Sequence, residues 1–125
     1  MASSDAPYGA IRRHLQAAET CEPEEALPHL RAAADELTAL IDNAMARALV
    51  TGRASLRSVG AGAGLSENAV GPRLARTPLL ASYANESGRV TASGVERARY
   101  DHETGHIRQP AEPPQPLRFK PRRNS

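Results

Sequence analysis

The apolar positions of this chain recur at helical spacing over much of its length. Between residues 24 and 51 they run Leu27, Leu30, Ala34, Leu37, Leu40, Ile41, Ala44, Met45, Ala48 and Leu49, in steps of mostly three and four. That spacing places one continuous stripe on an α-helix. Pro23 followed by Glu24 and Glu25 makes a good helix start, with proline in the first turn and acids near the positive end of the dipole. Pro28 is early enough to be tolerated or to mark the start itself, and Gly52 stands where a C-cap glycine belongs. At a rise of ~1.5 Å per residue the rod is roughly 35 Å long, more than a small head needs to cover. It is expected to pair with a shorter helix at 8–20, which carries Ile11, Leu15 and Ala18 on one face, or with a second copy of itself.

The second half is less regular. Residues 54–76 contain two short helical patterns around Gly64, and Thr77-Pro78 stops the second. LLASYA (79–84) reads as a helical turn or a short strand, and NESG (85–88) is turn chemistry. Arg89-Val90-Thr91 reads as short and extended. A last helix over roughly 92–103 follows, capped by Thr91 or Ser93, with Val95, Ala98 and Tyr100 as apolar contacts. The segment 79–99 fits a small wing with Arg89 at its turn, or a plain loop feeding the last helix. Beyond Gly105, five prolines, few apolar residues and a basic end predict a disordered or polyproline tail. The expected organisation is a frayed end at 1–7, a helical hairpin and dimerisation region at 8–53, a second helical region at 54–104, and a tail at 105–125.

Composition supports an all-α fold. Alanine and leucine supply most of the 40% hydrophobic content, and aromatics make up only 3%. That suits close-packed helices and argues against a β-sandwich, which wants β-branched and aromatic residues. The net charge of +2 conceals an asymmetry. Residues 1–51 hold four basic and eight acidic side chains, whereas 52–125 hold twelve basic and six acidic ones. An anionic partner would therefore meet the second half. Cys21 is the only cysteine, which rules out an internal disulfide and fits a reducing cytoplasm. MASSDAPYGAIRRHL has no apolar signal-peptide core, and no apolar run approaches the ~20 residues that span a bilayer. A cytoplasmic protein without membrane contact is expected.

The chemistry that stands out lies in GAGAGLSENAVGPRLAR, residues 60–76. Leu56 and Val59 take the inner positions of a first helix. Gly60 falls where two crossing helices touch, Ala63 closes the helix, and Gly64 can adopt the positive φ of a tight turn. Leu65 plugs the core from the turn, Ser66 caps a second helix with Glu67 in its first turn, and Val70 and Leu74 face inward. Over residues 56–76 this pattern resembles the helix-turn-helix of bacterial regulators and of sigma-factor region 4, which often read GLSExxVxxRLxRA. The resemblance implies binding to double-stranded DNA and, most plausibly, transcriptional regulation. Ser66, Glu67 and Asn68 would then meet bases or backbone, and Arg57, Arg73 and Arg76 would clamp phosphates. A homodimer through 24–51 would present two reading heads to an inverted repeat. Gly71 and Pro72, also on the reading face, weaken the second helix. That leaves open a non-enzymatic adaptor or assembly protein that reuses the helix-turn-helix to dock other proteins.

Other features read as structural. His102 and His106 are four apart beside Asp101 and Glu103, but Gly105 intervenes at a helix end, so solvated side chains are expected rather than a metal site. Cys21 lies beside Glu22 with no cation to activate it. GAGAG lacks the strand and the Lys-Ser/Thr of a phosphate loop. No catalytic residue, metal or cofactor is expected.

Overall fold

A computed structural model describes residues 2–105. Their elements are α1 (Ala2–Glu19), α2 (Pro23–Val50), α3 (Leu56–Ala63), α4 (Glu67–Leu74), a 3-10 turn (Ala81–Tyr83) and α5 (Ala92–Thr104). No strand occurs among the described residues, and none of their helices is long and apolar enough to cross a membrane. The tail expected to be disordered lies outside the described residues, apart from Gly105.

The long helix is the spine. Pro23 opens it behind Glu22, whose side chain makes no capping bond, and Pro28 sits inside the helix. The chain reverses at Thr20–Glu22, and α1 packs back along the N-terminal half of α2. α1 begins at Ala2 and takes Pro7 into its length, so residues 2–7, expected to fray, are helical. The C-terminal half of α2 carries the head. Met45, Ala46, Leu49 and Val50 join Val59, Val70, Leu74, Leu80, Tyr83, Val90, Val95 and Ala98 in one core. Leu49, Leu74 and Leu80 are its largest fully buried side chains.

Gly52 has a different role from the expected cap. Thr51 holds the C-cap in right-handed geometry, and Gly52 is needed because a Cβ there would stand 2.7 Å from the Ala48 carbonyl oxygen. The chain then leaves α2 through Ala54, and α5 secures this corner. Arg99 Nε donates to the Leu49 carbonyl and its terminal nitrogen to the Ala54 carbonyl, both at 2.8 Å. A guanidinium at a helix C-terminus satisfies carbonyls that have no intrahelical partner and complements the dipole.

Candidate nucleic-acid interface

α3 and α4 are positioned by local chemistry that their sequence dictates. Ser55 and Ser58 form a reciprocal capping box at the start of α3, each side chain accepting the other's backbone N–H at 3.0 Å. Gly64 ends the helix at φ 73°, the left-handed conformation that favours glycine. Leu65 N–H then donates back to the Gly60 carbonyl at 2.8 Å. Gly60 is the contact point of the two helices, since a Cβ there would meet Val70 Cγ2 at 2.9 Å. Val70 and Leu74 turn inward, 2% and 0% exposed, and Leu56 and Leu65 pack at the edge of the core. Ser66 occupies the N-cap of α4, but its side chain makes no capping bond.

Gly71-Pro72 does not break α4, which continues to Leu74. Proline at 72 has no N–H to give the Asn68 carbonyl four residues earlier. Arg89 fills that role: its terminal nitrogen donates to the Asn68 carbonyl at 3.2 Å. Arg89 is held there by a tight turn. Asn85 Oδ1 accepts from Ser87 N–H, Ser87 Oγ and Arg89 N–H, and Gly88 takes φ 80°. Val90 N–H closes on the Gly71 carbonyl at 3.1 Å. The segment that fits a wing by sequence is instead a side-chain-organised turn laid against α4.

This turn corrects the expected reading face. Gly71 is buried and closely packed: a Cβ would lie 3.1 Å from the Val90 carbonyl oxygen and 3.3 Å from Arg89 Cβ. It faces the turn, not an outside surface. Arg73 is also withdrawn from its expected role. Its Nε and a terminal nitrogen both reach Asp42 Oδ1 at 2.7 Å, and the two side chains are 23% and 8% exposed. The pair ties α4 to α2 and engages Arg73 within the molecule. Periodicity along α4 could not show this, because Asp42 lies 31 residues away.

What α4 does present is a narrower strip. Asn68 is exposed, with Ala69 and Pro72 half-buried beside it, and Arg76 is exposed in the turn just past the helix. A step of four puts Asn68 and Pro72 on one face of α4, and Arg76 follows in that turn, its N–H donating to the Arg73 carbonyl at 3.2 Å. Ser66 and Glu67 are exposed at the start of the helix. Arg57, on α3, approaches Glu67 at 3.9 Å in a solvent-exposed pair. Arg76 also borders an open cleft of about 430 Å³ whose walls include Asp35, Thr38, Asp42 and Asn43 of α2. The local charge is modest: residues 52–105 hold seven basic and five acidic side chains, whereas 106–125 hold five and one.

The remaining candidates have structural partners or none. Asp101 accepts from Tyr83 Oη at 2.6 Å, and Gly105 caps α5 at φ 80°. His106 lies outside the described residues. Cys21 Sγ donates to the Ala17 carbonyl at 3.1 Å. Comparison with protein-family models, curated proteins and solved structures returns no match for this chain.

Proposed function

We propose that this is a DNA-binding helix-turn-helix protein acting in transcriptional regulation, in which the α3–turn–α4 unit meets the duplex. The observation that carries the reading is the exposed strip along α4 and the turn that follows it. Asn68 offers an amide suited to adenine, and Ala69 and Pro72 offer apolar surface suited to a thymine methyl. Arg76 at one end and Arg57 at the other reach phosphates. Ser66 adds a hydroxyl at the helix start, where exposed N–H groups favour an anion. Glu67 holds Arg57 and can accept from cytosine. The set is Arg57, Ser66, Glu67, Asn68 and Arg76, without Arg73. Base reading through so few side chains is weak, so much of the affinity comes from charge, including the basic residues beyond 105.

One observation favours the adaptor reading as the second choice. The 85–90 turn covers Gly71, at the middle of what a reading helix would present, and Glu67 stands at its tip.

Duplex binding by the full chain separates the two. Affinity is expected to fall with salt at a log–log slope near −0.9 per phosphate contact. Arg57→Ala/Arg76→Ala should weaken binding on all sequences and flatten that slope by about two contacts. Asn68→Ala should relax preference at one position of a selected site. Binding that survives both variants and vanishes only when 106–125 are removed would sink the helix-turn-helix reading and leave the adaptor.

A further inference from the structure

The α1–α2 hairpin carries an apolar face that nothing among the described residues covers. Tyr8, Leu15, Leu27, Leu30 and Leu37 are 44–61% exposed. They lie on one side. Ala26 and Ala33 are buried where α2 carries α1, and Leu27 and Ala34 each follow one residue later. Pro7 and His14 are half-buried on α1, and Tyr8 and Leu15 likewise follow one residue later. One residue is ~100° of turn, and in antiparallel helices the same turn leads to the same side of the pair.

On α2 this side is a seven-residue repeat: Leu27, Leu30, Ala34, Leu37, Ile41, Ala44, Ala48, in strict steps of three and four. That is the seam of a coiled coil. It runs into an open apolar groove of about 340 Å³ between α2 and α3, whose walls include Ile41, Ala44, Ala48, Gly62 and Ala63. Gly62 is notable there. It lies in α3, where alanine would favour the helix, and a Cβ would meet nothing within 4 Å.

We infer that a second copy of this chain covers the face, with the two α2 helices antiparallel and Leu27 of each seated in the groove of the other. Two features select this occupant. The first is size. Pairing residues whose numbers sum to 71 sets Leu27 against Ala44, Leu30 against Ile41 and Ala34 against Leu37. Two of the three pairs match large to small, and the leucine with the greatest exposure meets Ala44, in the wall of the groove. The second is charge. Residues 19–25 carry Glu19, Glu22, Glu24 and Glu25 with no basic side chain, and 47–57 carry Arg47, Arg53 and Arg57 with no acid. An antiparallel pair sets the acidic end of one copy beside the basic end of the other, whereas a parallel pair would set four glutamates beside four. The inference does not depend on DNA binding, which can fail while the dimer stands.

The test is the mass of the full chain by sedimentation, with two designed variants. The wild type is expected as a dimer at micromolar concentration. Gly62→Leu starts from a position where a Cβ meets nothing within 4 Å and fills the groove, and should give a folded monomer with unchanged helical circular dichroism. In a Cys21→Ser background, Leu27→Cys/Ala44→Cys should form an intermolecular disulfide that Leu27→Cys alone does not. A monomeric wild type, a dimeric Gly62→Leu, or crosslinking through Leu27→Cys alone would each overturn the proposal. The last of these would indicate a parallel pair.

Discussion

The two halves of α2 meet opposite conditions on the same helix. Toward its C-terminus Leu49 is fully buried and Met45 is 4% exposed, under α3, α4 and α5. Toward its N-terminus only Ala26 and Ala33 are buried, and the leucines at 27, 30 and 37 lie open on the flank of α1. In the hairpin alanines take the buried positions of α2 while Leu27, Leu30 and Leu37 face outward, the reverse of the head. Hydrophobic patterning alone therefore fixes that a helix forms, but not what its stripe covers. The head draws its stability from burial and from long-range polar ties. The hairpin, as a monomer, draws on little beyond helix packing through alanine.

Substitutions that introduce charge at the centre of the head should break it most completely. Val70→Asp places an unpaired carboxylate at a position 2% exposed, against Gly60. We expect a loss exceeding about 4 kcal/mol and collapse of the α3–α4 unit, read as a lost thermal transition by circular dichroism. Unchanged melting would contradict the packing described. Asp42→Ala is next. It strands the Arg73 guanidinium, and about 2–4 kcal/mol should be lost, toward the lower end because Arg73 retains 23% exposure. Asp42→Leu/Arg73→Met should recover most of this, since an apolar pair of similar volume removes the desolvation problem. A double variant no better than Asp42→Ala would mean that the pair contributes geometry which packing cannot replace.

These contrasts also separate what the sequence displays from what it conceals. The turn at Gly64, the contact at Gly60 and the inward Val70 and Leu74 are legible because each follows from a local rule about φ, size or helical phase. The capping box of Ser55 and Ser58 is equally local, and an S-x-x-S spacing could have revealed it. Arg73, Arg89 and Arg99 are different. All three look like free cations in the sequence, and each is engaged by a group between 21 and 50 residues away. An arginine can answer a buried carboxylate, a carbonyl freed by proline, or the orphan carbonyls of a helix end. Nothing in its neighbours along the chain says which. The basic character of the second half is thus not all surface: within 52–105, Arg73, Arg89 and Arg99 are structural.

The smallest expected effect lies in the hairpin. Leu37→Ala removes a side chain that is already 49% exposed, so at most about half of its transfer free energy is at stake in one chain. Alanine is also a slightly better helix former. The net change for the monomer should be below about 1 kcal/mol, against roughly 2–5 kcal/mol for Leu49→Ala, which empties a site with no exposure. Denaturation at several protein concentrations makes the comparison sharp. If Leu37 is solvent-facing, Leu37→Ala leaves the midpoint unchanged and independent of concentration. If it lies in a seam between two copies, the wild-type midpoint rises with concentration, and Leu37→Ala lowers the midpoint at every concentration while leaving a lone chain almost as stable as before. A loss as large as that of Leu49→Ala with no concentration dependence would mean that the hairpin closes over Leu37 within one chain, and the contrast between the two halves of α2 would fail.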